Sequence, residues 1–260
     1  MKILALIGSP HKGNTLKITQ QVEENMKKLD DVEFDYLFLK DIDLKQCVGC
    51  FSCLRKGKEF CPLKDDRDKI LEQIINSDGV IFATPVYVMN VSSLTKNFID
   101  RFAYICHRPQ FFQLNAMIVS TTGGIGLKEV KKYMSMVATV WGFRSVTNLG
   151  VAIPPHTNIP QEIIDKRNRE VKKASEKFYN RIISKNWSPS LNHVIQFRAQ
   201  RAIFTIDNNK EEMPADYKFY KPLLKKKFYV DAKVNFFKDK IAWILEKIIR
   251  YNMLKTIKKE

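Results

Sequence analysis

Short apolar runs alternate with amphipathic stretches through residues 1–184, and few folds accept that order. "KILALIG" (2–8) reads as a first buried strand. Residues 15–29 then place Leu16, Ile18, Val22 and Met26 at helical spacing. Further strands are expected over 32–39, 79–85 and 145–153, with a strand then a loop over 115–124. Helices are expected over 68–78, 92–105, 127–142 and 160–184, the last with Pro160 at its start. Strands separated by helices imply a parallel sheet covered on both faces. Five of each fit an α/β doubly wound sheet in the order 2-1-3-4-5, whose ligands sit beyond the carboxyl ends of the strands.

The alternation stops near Asn186. We expect residues 1–185 to form one domain, with residues 186–260 as a mainly helical, aromatic-rich extension. The extension carries 16 Lys and Arg against 8 Asp and Glu, so it supplies half of the net charge of +16. Nucleic acid is a poor match for that charge, because it is spread along the chain and no helix-turn-helix or zinc-finger spacing accompanies it. An acidic electron-transfer protein, an anionic cofactor or a membrane surface would each suit the field. In the last helical stretch Phe237, Ile241, Ile244, Leu245, Ile248 and Ile249 recur on one face, and such a stripe needs a partner. The sheet domain of the same chain or another subunit is expected there in preference to a membrane. No apolar run reaches the roughly 18–20 residues that span a bilayer. "GSPHKGNT" stands where a signal peptide would be cleaved, so a cytoplasmic location is expected.

Three loops carry the chemistry. "GSPHKGNT" (8–15) leaves the first strand and opens a helix, whose unpaired amides suit a phosphate. It is neither a Walker loop nor a GxGxxG turn; a plain polar turn capped by Asn14 or Thr15 is the competing reading. "TPVYVMNVSS" (84–93) could run along a flat ring, or simply turn at its proline. "STTGGIG" (120–126) lets backbone approach a ligand closely.

Four of the five cysteines fall in "CVGCFSCLRKGKEFCP", as Cys47, Cys50, Cys53 and Cys61. In a reducing compartment such clustering suggests metal or redox work. The C-x2-C-x2-C run can reach three corners of a cubane, and a fourth thiolate completes it. The final gap exceeds that of bacterial ferredoxins, at a chain-entropy cost well under ~1 kcal/mol. Zinc would more usually take two separated pairs, and four free thiols are the third possibility. Cys106 reads as a small core residue. His11, His107, His156 and His193 show no metal spacing, and Asp100 with Arg101 reads as an ion pair at a helix end.

"GSPHKGNT", the cysteine run into "PLKDD", "SDGVIFATPVY", "LTKNFIDRF" and "STTGG" together resemble the flavodoxin-like NAD(P)H-dependent FMN reductases, and within them the iron–sulfur flavoproteins. The resemblance covers roughly residues 1–150. It implies FMN, its phosphate on Ser9, His11, Asn14, Thr15 and Leu16. It places the ring and ribityl chain by Pro85, Val86, Tyr87, Met89, Asn90, Thr121, Thr122, Gly123 and Gly124. It also supports a [4Fe–4S] cluster on Cys47, Cys50, Cys53 and Cys61, since the iron–sulfur flavoproteins share the long final gap. The implied function is an FMN-dependent oxidoreductase, with NAD(P)H or ferredoxin as donor, and the resemblance also implies a homo-oligomer, a dimer or tetramer, with subunit contact through residues 186–260. Two alternatives remain: a cluster-free quinone, nitro or flavin reductase, and an electron carrier without turnover. No residue is assigned as general acid or base. Backbone amides of Val88–Asn90 and Thr122–Gly124 could face the negative charge of a reduced ring.

Overall fold

The structure, a computed structural model, describes residues 1–155, 159–184 and 186–257. His156 lies outside the described residues. The strands are β1 (Lys2–Ile7), β2 (Glu33–Phe38), β3 (Gly79–Tyr87), β4 (Asn90–Val91), β5 (Asn115–Thr122) and β6 (Val146–Ala152). The sheet order is β2-β1-β3-β5-β6, with β1, β2, β3, β5 and β6 all parallel. That is the order expected from the sequence, with one addition. Two-residue β4 folds back antiparallel on the end of β3, pairing Val86 with Val91 and Tyr87 with Asn90.

The helices around the sheet are α1 (Asn14–Lys27), α2 (Ser52–Arg55), α3 (Arg67–Ile75), α4 (Ser93–Arg101), α5 (Tyr104–His107), α6 (Leu127–Val140) and α7 (Gln161–Ile183). The single helix expected over 92–105 is two, α4 and α5, broken at Phe102 and Ala103. The two sheet faces follow from strand periodicity. On β1, Leu4 and Leu6 join a core with Ile70, Phe98, Val130 and Trp141 from α3, α4 and the end of α6. Ile3, Ala5 and Ile7 point the other way, to Leu16, Val22, Val171 and Phe178 of α1 and α7. A strand apolar on both faces belongs inside the sheet, and β1 lies there between β2 and β3.

Residues beyond α7 form α8 (Leu191–Phe204), α9 (Asn209–Glu212), α10 (Pro214–Tyr220) and α11 (Phe236–Ile257). They build a third cluster from Phe197, Phe204, Tyr220 and Phe228. Phe112 of the sheet portion enters it, with its ring stacked on Tyr229 at 4.7 Å. The Tyr220 hydroxyl donates to the His107 carbonyl at 2.8 Å. The extension is therefore packed onto the loop that precedes β5.

Candidate functional site

The loops after β1, β3 and β5 meet at one end of the sheet. A shallow cleft of about 220 Å³ there is lined by Ser9, His11, Gly13, Asn14, Thr15, Pro85, Val86, Tyr87, Thr121, Thr122 and Gly123. Ten of the fourteen residues expected at a flavin fall in this lining: Ser9, His11, Asn14, Thr15, Pro85, Val86, Tyr87, Thr121, Thr122 and Gly123. Leu16 is buried in the core between α1 and the sheet, so its side chain does not reach the cleft. Met89, Asn90 and Gly124 stand exposed outside the lining.

Local chemistry fixes these loops. The Ser9 hydroxyl donates to the His11 carbonyl at 2.8 Å and shapes the start of the turn. The Thr15 and Thr121 hydroxyls meet at 2.7 Å, joining the first loop to the end of β5. Gly8 lies so near α4 that an added Cβ would sit 1.9 Å from Thr95 Oγ1. Ser92 caps α4 by accepting from the Thr95 amide at 3.2 Å, while its hydroxyl donates to the Gly8 carbonyl at 2.5 Å. Ser92 and Thr95 thus seat the first loop, a role that was not read from the sequence. No side chain caps α1, and its first turn holds no acidic residue. Its free amides and partial positive charge remain available to an anion, and this arrangement fits a phosphate.

The second and third loops touch. Gly126, at φ +96°, faces Val86 Cγ1 and the Met89 backbone at distances that exclude a Cβ. The β3–β4 turn consists of Val88 and Met89, both at positive φ, 47° and 62°. Two-residue hairpin turns of this kind favour Asn-Gly. A β-branched valine there stores strain beside the cleft. The Gly124 amide is already engaged by the Thr122 hydroxyl at 3.1 Å, which removes one of the amides expected to face a reduced ring.

The cysteine segment forms a loop pinned at its neck by Asp65. That carboxylate accepts from the Lys45 amide at 3.0 Å and the Arg67 amide at 3.2 Å, on either side of the segment. It also binds Arg101 through both oxygens. The ion pair expected between Asp100 and Arg101 is therefore corrected: consecutive helical side chains diverge. Asp100 turns to Lys96 at 2.5 Å, one helical turn away. Asn97 joins the neck, accepting from the Cys47 amide at 3.1 Å and donating to the Leu44 carbonyl at 3.0 Å. Farther out, Arg108 donates to the carbonyls of Cys53 and Leu54 and pairs with buried Asp216 of α10. Asp65, Asn97, Arg108 and Asp216 were not singled out from the sequence. "PLKDD" and "LTKNFIDRF" held the first two, but nothing local announced Asp216.

All five cysteines are free thiols. Cys61 is buried, and Arg101 Nη1 donates to its sulfur at 3.0 Å. Cys50 is exposed, and hydrogen bonds from the Ser52 amide and then the Ser52 hydroxyl draw its thiol below the ordinary range. Burial, followed by the neighbouring Cys61 and Cys47 sulfurs, pushes the Cys53 thiol up. Cys53 feels the charge of Cys61, Cys47 and Cys50, and two buried guanidiniums stand beside the loop, Arg67 near Cys53 and Arg101 on Cys61. Among the described residues, no three His, Cys, Asp or Glu side chains converge as metal ligands. Cys106 packs partly buried against the sheet core.

Comparison with known proteins agrees with this geometry. Residues 1–158 match the family described as NADPH-dependent FMN reductase. An iron-sulfur flavoprotein of Archaeoglobus fulgidus is 30% identical over 225 residues, 85% of this chain and 98% of the relative. An iron-sulfur flavoprotein of Clostridioides difficile is 29% identical over 206 residues, covering 78% and 89%. The solved NAD(P)H:quinone oxidoreductase from Methanothermobacter marburgensis shares the fold, with a TM-score of 0.56 at 14% identity over 72% of this chain and 98% of that one. The chain belongs to the NADPH-dependent FMN reductase family and is an FMN-dependent oxidoreductase.

Proposed function

We propose that the protein relays electrons between FMN in the cleft and a [4Fe–4S] cluster held by Cys47, Cys50, Cys53 and Cys61. The observation that carries this reading is the pinned thiol loop. Four cysteines sit on a segment whose neck is closed by Asp65 and Arg101, with a guanidinium bonded to one sulfur. Thiolates around a cluster carry net negative charge, and buried Arg67 and Arg101 offset it. Together the two groups would interconvert two-electron and one-electron transfer.

The chain's own residues bind and orient. The first turn of α1, with Ser9, His11, Asn14 and Thr15, would hold the FMN phosphate. Pro85, Val86 and Tyr87 would flank the ring on one side, and Thr121, Thr122 and Gly123 on the other. A small-molecule donor or acceptor reaches this site through the open cleft. Ferredoxin is the proposed protein donor, because many ferredoxins are acidic and this chain is basic. The five free thiols suit a reducing, cytoplasmic setting. Residues 1–185 would serve as the FMN-binding domain and 186–260 as its extension.

A cluster-free reductase for quinones, nitro compounds or flavins is the second reading. It rests on the lack of convergence among the thiols of the described residues. Purification without oxygen decides between the two. Iron and acid-labile sulfide near four per chain, with a broad visible shoulder bleached by dithionite, are expected. Flavin with no metal, or with zinc, would reject the cluster and leave the FMN assignment standing.

A further inference from the structure

The last helix packs inside out. Its two carboxylates, Asp239 and Glu246, turn inward to Arg198 and Arg201 of α8. Glu246 accepts from Arg198 at 2.8 Å and from Arg201 at 2.9 and 2.6 Å, and all three side chains are nearly buried. The apolar residues turn outward instead. Phe236, Phe237, Ile241, Trp243, Ile244 and Ile248 are all exposed, Phe237 to 73% and Trp243 to 46%. Among the described residues the stripe read from the sequence therefore remains uncovered, save for the half-buried Leu245 and Ile249 at its margin.

The charges on this outward face have one sign. Lys240 lies over the Phe236 ring and Lys247 over the Trp243 ring, at 6.0 and 5.7 Å from the centroids. With both acids turned inward, the face offers aromatic, branched aliphatic and cationic groups. The run Lys225–Lys227 just before it adds more positive charge. A second copy of the same face would oppose these lysines with lysines. An anionic lipid surface complements both features, taking the rings and isoleucines at the acyl boundary and the ammonium groups at the headgroups. No described helix is long and apolar enough to cross a membrane, so α11 would lie along the surface.

We propose that α11 docks the protein onto membranes rich in anionic phospholipid. The test is co-pelleting of the full-length flavin-loaded protein with vesicles at physiological salt. One vesicle set is phosphatidylcholine alone; the other is phosphatidylcholine mixed with phosphatidylglycerol. Strong binding to the mixed vesicles and little to the neutral ones is expected. The triple variant F237S/I244S/I248S should lose at least tenfold in vesicle affinity, with flavin content and thermal midpoint unchanged, since these side chains are exposed. Failure of the parent protein to pellet overturns the proposal. So does a variant that pellets undiminished, which would assign binding to general positive charge. A dimer in sedimentation that the same variant dissociates would give the face to a second copy instead, and would also overturn it.

Discussion

Arg101 grips both oxygens of Asp65, at 2.7 and 2.8 Å from Nη2, while its Nη1 donates to the Cys61 sulfur at 3.0 Å. The two charged side chains are only 2% and 1% exposed. Burial opposes the guanidinium's charge, but the bonds to Cys61 and Asp65 prevail and raise its pKa. Removing one member of such a pair strands the other in the interior. Asp65→Ala should therefore cost roughly 3 kcal/mol of stability, measured as a shift in the urea midpoint. The Asp65→Leu/Arg101→Met double variant should cost less than either single change, because no buried charge is left unpaired.

At the first loop, Asn14→Asp would set a carboxylate against the proposed FMN phosphate. FMN affinity should fall roughly tenfold or more, a loss of about 1.4 kcal/mol, by fluorescence titration of the flavin-free protein. Asn14 is exposed and bears no structural hydrogen bond that the fold requires, so the thermal midpoint of the flavin-free protein should not move.

The hairpin tip offers the opposite experiment. Val88 is 98% exposed and held at positive φ. Val88→Asn should raise stability by roughly 1 kcal/mol, because asparagine tolerates that conformation. An unchanged urea midpoint would show that the turn carries no strain.

Thiol reactivity should separate Cys50 from Cys53. The thiolate is the reactive form. With its pKa lowered through Ser52, exposed Cys50 should react with iodoacetamide at neutral pH ahead of Cys53, whose thiol is raised by burial and by its neighbours. Peptide mapping of metal-free protein reads this order directly. If a cluster is bound, both should be protected.

His193 sets a pH limit on the extension. It is buried, neither ring nitrogen has a partner in good hydrogen-bond geometry among the described residues, and burial lowers its pKa against the opposing Thr139 backbone. The unfolded chain then takes up this proton at a higher pH than the folded one. Stability should fall as the pH drops below about 6.5, and the loss should level off below the depressed folded value. His193→Phe should remove that part of the slope in urea midpoints measured across the window.

How much of this could be read beforehand divides by range in the sequence. The alternation of strand and helix declared the sheet order because each element states its own period. The cleft followed, since this topology gathers the same loop ends. The neck of the cysteine loop was less visible. Arg101 looks like a solvated charge in "FIDRF", and only the distance it bridges to Asp65 reveals its burial. The Val88–Met89 turn broke local rules and hid β4. The stripe on α11 was legible as apolar, but its outward direction was not, because the acids on the opposite face meet an arginine 41 and 48 positions earlier.

The bond between Arg108 and Asp216 also orders events in time. Residues 47–62 leave the ribosome long before Asp216, by on the order of ten seconds at ordinary synthesis rates. Until α10 arrives, the Arg108 that braces Cys53 and Leu54 lacks its buried counter-charge. The sheet can close early, while the thiol loop waits for the end of the chain to be braced. A nascent chain stalled before residue 214 should therefore show its cysteine loop open to proteases that the finished protein resists.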